Sequence, residues 1–207
     1  LNAFYYRIFP PNIINNWVEN TSSGFKFYPK IPRMLSGVGR FRNYQNRWDD
    51  CIHAFRAFNQ KLGIILLQLS SSFGYENLKG LEQFLISWPE DLSLAIEFRN
   101  EDLFKSSQYL DYLQHLLADH KVIWVITDTP GRRDVLHMRL TTNQVFIRFN
   151  AIENPSIDQI RMNDWLKRLS IWKSAGLEHC AFFVHEHTEV YGPRNSLYFS
   201  NKMHSLL

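Results

Sequence analysis

Cysteine is scarce in this 207-residue chain: Cys51 and Cys180 stand far apart, form no CxxC pair and match no zinc-ligand spacing, a usage that fits a reducing compartment. Long apolar runs are lacking too. Nothing approaches the ~20 residues needed to span a bilayer, and no charged, apolar, small-residue pattern at the start resembles a signal peptide. A cytoplasmic location without membrane contact is the expectation, although the chain opens on LNAFYYRIFPP without a methionine and so leaves room for upstream residues. Glycine-rich phosphate loops are also missing. Neither GxGxxG nor GxxxxGK[ST] follows any strand candidate, which argues against dinucleotide-binding and P-loop folds. Charge of one sign is hardly in excess. A net +3 and a pI near 8.9 permit a phosphate or nucleic-acid partner but are ordinarily surface solvation.

What is present suffices for one core. Hydrophobic residues make up 45% and aromatics 15%, ample for a buried interior, and the 21% of charged residues is ordinary for a folded protein, so residues 1–207 are expected to form a single domain rather than a disordered chain. Strand-length apolar runs recur at 25–31, 64–69, 94–98, 122–127, 145–149 and 180–185, with a trace of another near Leu1 to Tyr6. Helix candidates lie between and after them at 48–62, 76–87, 105–120, 158–175 and 193–207, with Asn77 or nearby serines and then Ser156 or Asp158 as prospective caps. Nearly continuous apolar strands alternating with helices mean a parallel sheet covered on both faces. The two architectures that fit are a doubly wound sheet and a (β/α)8 barrel lacking its beginning.

Polar residues collect where those strands end. Lys30 closes the first, Gln68 the second, Glu97 and Arg99 the third, Asp128 the fourth, Arg148 the fifth, and His185 with His187 the sixth. In a parallel sheet all these ends lie on one side, where ligands bind, and the period of two along a strand puts Glu97 with Arg99 and His185 with His187 on shared faces. A single Glu/Arg pair is equally readable as a structural ion pair; six strands ending alike favour a site. VHEHTE at 184–189 offers His185, Glu186, His187 and Glu189 as metal ligands with a third from Glu97 or Asp128, a divalent metal being the less favoured option. Arg132 and Arg133 of GRRD are expected to be solvated, His53, His115, His120 and His179 to serve surface or packing, and the six tryptophans to pack the core.

The motifs GFKFYPKIP, LGIILLQLSSSFG, AIEFRNEDLF, VITDTPGRRDVLHMRLTT, VFIRF and AFFVHEH, after LNAFYYRIF and Trp17, resemble in this order the domain of unknown function 72 (YecE-like) family, in particular its forms from Bacteroidetes-type bacteria. The resemblance spans essentially the whole chain. It implies a TIM-type (β/α)8 barrel with roughly one strand and helix ahead of Leu1, and supplies no established reaction. Positions matching the family pattern are Asn2, Tyr6, Lys30, Gln68, Glu97, Arg99, Asp128 and Arg148, with His185 and His187 matching the subgroup. The chain departs from that pattern at Phe4, Ser36-Gly37, Leu69-Ser70-Ser71, Asn100, Leu103 and Ala151. Two histidines are thereby lost from the mouth, which implies altered substrate or reduced activity.

Three functions are weighed. The first is an enzyme acting on a phosphorylated or otherwise anionic small molecule: Lys30, Arg99 and Arg148 hold the anion with Gln68, Asn2 and Tyr6 beside it, Glu97 or Asp128 is the general base, and His185 or His187 the proton partner. The second is a nucleic-acid-binding or metal-dependent nucleic-acid-processing protein reading phosphates with the same mouth. The third is a non-catalytic barrel whose charges form a structural network.

Overall fold

The computed structural model describes residues 1–38, 45–188 and 190–206. It comprises two compact units, Leu1–Val122 and Ile123–Leu207, each with parallel strands and covering helices. Among the described residues no helix is long and apolar enough to cross a membrane.

In the first unit, strand β1 (Ile65–Gln68) runs parallel to β2 (Leu94–Glu97), with Ile65 opposite Leu94 and Gln68 opposite Glu97. The first three residues of β1 and all of β2 are buried, so neither strand shows the alternation of a half-exposed sheet. The helices are α1 (Pro11–Glu19), α2 (Gln45–Arg56), α3 (Leu78–Ser87) and α4 (Ser107–Asp119). Helix α1 was not anticipated; Pro11 at its first turn, where no donor is needed, is the signal in the sequence. Helix α2 stops at Arg56, short of the expected Leu62, because the chain turns through Asn59 at φ +49° into the 3-10 turn Asn59–Lys61.

The strand expected at 25–31 reduces to two isolated parallel bridges, Phe27 to Leu62 and Lys30 to Leu66. Pro29 is the reason: it has no N–H for a ladder, and only its carbonyl takes part, accepting from the Leu66 N–H at 2.9 Å. Gly63 lies tight against this segment, its N–H donating to the Phe27 carbonyl at 2.7 Å; a Cβ there would come within 2.9 Å of the Tyr28 ring. The strand trace near Leu1 to Tyr6 is a 3-10 turn, Asn2–Tyr5. It forms because burying Phe4 outweighs a ladder, the ring lying 5.3 Å from Phe9, 5.6 Å from Phe55 and 5.7 Å from Phe58.

The second unit holds β3 (Ile123–Trp124), β4 (Ile126–Asp128), β5 (Gln144–Asn150) and β6 (His179–His185), with β4, β5 and β6 hydrogen-bonded in that order and all parallel. The single strand expected at 122–127 breaks at Val125, whose carbonyl is taken by the buried His137 side chain at 3.1 Å. Val145, Ile147 and Phe149 of β5 face helix α5 (Pro155–Ser174), where Met162, Trp165, Leu166 and Leu169 recur at helical spacing, and Phe199 of α6 (Gly192–Leu206) joins them. Each such side chain contributes about 1.5–3 kcal/mol by leaving water. The cap of α5 is Asn154, accepting from the Ile157 N–H at 3.3 Å, and not the expected Ser156 or Asp158.

The opposite face of this sheet is set by register. Thr127 lies beside Arg148 and Arg148 beside Phe183, while Asn150 lies beside His185. Lateral neighbours in a parallel sheet share a face, so Thr127, Phe146, Arg148, Asn150, Phe183 and His185 all turn away from α5. Phe146 and Phe183 stack there at 5.0 Å.

His137 gives the fold a pH response. The Val125 carbonyl can only accept, so Nε2 carries the proton and Nδ1 accepts from the Arg139 N–H at 3.3 Å; the ring stacks on Trp124 at 4.2 Å. Burial pushes its pKa down from 6.5 to about 4, with Arg139 adding to the effect. The folded state therefore favours the neutral ring: its contribution is complete above pH 6.5 and is lost as the pH falls from 6.5 toward 4. Urea unfolding across that window is expected to show a loss of roughly 3 kcal/mol beyond that of a His137→Asn variant. Parallel profiles for the two proteins would contradict this.

Candidate functional site

In the first unit the strand-end residues meet. Because Gln68 pairs with Glu97 in register, their side chains stand together, and the bridge at Leu66 brings Lys30 alongside. Lys30 Nζ donates to Gln68 Oε1 at 2.7 Å, and Gln68 Nε2 donates to Glu97 Oε2 at 2.8 Å. An ammonium only donates and a carboxylate only accepts, so the Gln68 amide is held in one orientation. Glu97 is 1% exposed, a position a carboxylate tolerates only when paired. Arg99, beyond the strand end and half in solvent, places Nε 3.6 Å from Glu97 Oε1.

Of the aromatic and amide residues expected beside this row, Asn2 and Tyr6 are both exposed, Tyr6 by 83%. Tyr5 contributes instead, its ring centroid 3.9 Å from Lys30 Nζ, a cation–π contact. The Tyr5-Tyr6 doublet hid which of the two mattered, since a 3-10 turn turns neighbouring side chains to different sides. Asn100 and Leu103, which depart from the family pattern, have defined tasks. Asn100 caps the 3-10 turn Glu101–Phe104 by accepting from the Asp102 N–H at 2.9 Å, and Leu103 is fully buried. Gly37 lies in the π-helical turn Met34–Val38.

In the second unit the strand-end residues separate. Asp128 pairs laterally with Phe149, and so faces α5 rather than Arg148. Its Oδ2 accepts from Trp165 Nε1 at 2.8 Å, while Oδ1 lies 2.9 Å from Arg161 Nη2 and 2.5 Å from Arg133 Nη1. Arg161 also binds the Asn150 carbonyl at 3.0 Å and Asp158 at 3.1 Å, and covers the Phe149 ring at 4.2 Å. Asp158, wholly buried, accepts from the Ile152 N–H at 3.0 Å. The expectation that Asp128 joins Arg148 and His185 on one face is corrected: one residue of register sends it the other way, where it fastens α5 to the sheet.

Arg148 and His185 do come together, Arg148 Nε donating to His185 Nε2 at 3.4 Å. His187 does not accompany them. Strand β6 ends at His185, and His187 is exposed in the bend beyond, near Glu153, whose carboxyl is held below its usual range chiefly by the Thr188 N–H. The less favoured metal set of His185 and His187 with Asp128 is not assembled in this unit; Glu189 lies outside the described residues. Among the described residues no three His, Cys, Asp or Glu side chains gather as a metal cage. The GRRD arginines stand in solvent as expected and are also ion-paired, Arg132 with Asp134 at 2.8 Å and Arg133 with Asp128.

The Asp128 network predicts an asymmetry. Asp128→Asn removes the charge that two arginines meet in a buried setting and is expected to cost about 3 kcal/mol in chemical unfolding. Arg133→Ala, at an exposed position, is expected to cost under ~1 kcal/mol. Equal effects would contradict the assignment of Asp128 to support.

Comparison with known proteins agrees with this α/β arrangement of parallel strands. The family model described as "Protein of unknown function DUF72" matches residues 1–206. The UPF0759 protein YecE of Escherichia coli O157:H7 and that of strain K12 are each 24% identical over 189 residues, covering 83% of this chain and 70% of theirs. Among solved structures, a DUF72 family protein from Enterococcus faecalis V583 has a TM-score of 0.78 at 18% identity, covering 100% of this chain and 82% of that one. Another from Thermotoga maritima MSB8 has a TM-score of 0.77 at 18% identity, covering 97% and 82%.

Proposed function

The chain belongs to the DUF72 family, and from that premise we propose that it is a single TIM-type barrel of the family's Bacteroidetes-type form, binding a small anionic molecule at the C-terminal ends of its strands. The barrel plan is supported by the repeated alternation of parallel strand and helix and by the likeness to solved DUF72 proteins. The observation that carries the ligand reading is the ordered row Lys30–Gln68–Glu97, flanked by the half-exposed Arg99.

Two cations border a buried carboxylate at a strand end, the edge at which parallel sheets bind ligands. Arg99 supplies a planar fork that matches phosphate or carboxylate, and Lys30, steadied over Tyr5, supplies a point charge. Glu97 is the base for any proton that the bound molecule gives up, its position fixed by the Gln68 amide. Asp128 has no part in this reading, since its oxygens are committed to Trp165, Arg161 and Arg133.

A thermal-shift screen of phosphorylated and carboxylated metabolites with the full chain tests it. At least one anion is expected to raise Tm, and Arg99→Ala to remove most of that rise when each protein is compared with its own ligand-free Tm. Stabilisation by uncharged compounds alone, or an undiminished rise in the variant, would overturn the proposal. Salt-sensitive retention of single-stranded DNA that Arg99→Ala weakens would assign the residue to a polyanion instead.

A further inference from the structure

We propose that the first unit holds a second binding site, the cleft between α3 and α4 walled by Tyr75, Tyr109 and Tyr112, and that it takes a free quaternary ammonium compound of about choline's size. This goes beyond the reading above, since it uses none of the same residues and calls for a ligand of opposite charge.

The starts of two helices build the cleft. On α4, Tyr112 shares a helix face with Tyr109, one turn before it, and with Gln108. Tyr75, in the 3-10 turn Tyr75–Asn77, and Leu78, the first residue of α3, form the other wall. Together they line a cavity of about 220 Å³. The Tyr75 and Tyr109 rings lie against each other, their centroids 3.8 Å apart and their planes at 33°, and the Tyr75 hydroxyl donates to the Asp102 carbonyl, so the Tyr75 ring is held at both ends. Tyr109 is 40% exposed and Tyr112 43%. Aromatic rings left open side by side are a patch, unlike the single apolar residues that any surface carries, and such patches mark binding sites.

Charge around the cleft decides what it binds. Glu82 stands one turn along α3 from Leu78 on the same helix face, and burial followed by this carboxylate raises the Tyr112 pKa. Burial, Tyr109 and Asp102 raise that of Tyr75, with Lys105 acting the other way. Lys105 is itself claimed by two carboxylates, Asp102 at 2.6 Å and Glu101 at 3.1 Å, so acid is in excess at this rim. A field that resists a negative phenolate favours a positive ligand. The rings stay neutral and keep the electron-rich faces that attract a cation within about 6 Å of the centroid. A quaternary ammonium answers each feature: it asks for no hydrogen-bond acceptor, its methyl groups bury against Leu78 and the rings, and its charge complements Glu82. The cavity is smaller than the roughly 300–1,000 Å³ of sites for drug-sized molecules, which suits a single small head group.

Saturation-transfer NMR of the full chain with choline, its uncharged carbon isostere dimethylbutanol and glycine betaine tests the site. Choline is expected to bind roughly tenfold more tightly than dimethylbutanol, which fills the same volume without the charge. Glycine betaine, whose carboxylate the acidic rim repels, is expected to bind several-fold more weakly than choline. Tyr112→Leu keeps apolar bulk and removes the ring, and is expected to weaken choline binding roughly fivefold to tenfold, a melting curve showing that the variant is folded. Glu82→Gln is expected to weaken it roughly twofold at low salt. Dimethylbutanol or glycine betaine binding as tightly as choline would overturn the proposal. So would undiminished choline affinity in the folded Tyr112→Leu protein, or no binding of choline by the wild-type chain at tens of millimolar.

Discussion

Side chains of successive strand residues point to opposite faces, and that alternation decides what each charged strand end in this protein can do. Thr127 and Asp128 are adjacent, yet the first stands beside Arg148 and the second beside Phe149, against α5. The same rule keeps Gln68 with Glu97 and Phe182 with the helices. Polar groups crowded at one edge of a parallel sheet therefore divide into two populations: those turned to the helices, which hold the layers together, and those turned to the opposite face.

Arg161 shows how the supporting population works. One guanidinium meets Asp128, Asp158 and the Asn150 carbonyl while lying on the Phe149 ring, so a single residue of α5 satisfies two buried carboxylates and a strand end at once. Buried carboxylates without such a partner would be costly, and with it they fix the helix in register on the sheet. In the first unit the Gln68 amide does comparable work by neutral means. It transmits between ammonium and carboxylate and leaves Arg99 half in solvent.

Much of this was legible in the sequence. Five of the six strand runs and the helices between them follow from apolar periodicity, and the meeting of Lys30, Gln68, Glu97 and Arg99 follows from parallel ends alone. Other features needed information that periodicity does not carry. Pro29 removed a donor from an apolar run that otherwise reads as strand, His137 interrupted another by claiming the Val125 carbonyl, and the buried Phe4 made a turn of an apparent strand. Asp128 was misplaced because its face depends on where β4 ends, a matter of one residue.

The division into supporting and ligand-facing groups is open to one direct measurement. Nuclear magnetic resonance of the arginine Nε–H and tryptophan indole N–H groups during titration with inorganic phosphate reports on both populations in one sample. The signal of Arg99 is predicted to shift while those of Arg161 and the Trp165 indole, bound to Asp128, stay in place. Movement of the Trp165 and Arg161 signals with Arg99 unmoved would contradict the account.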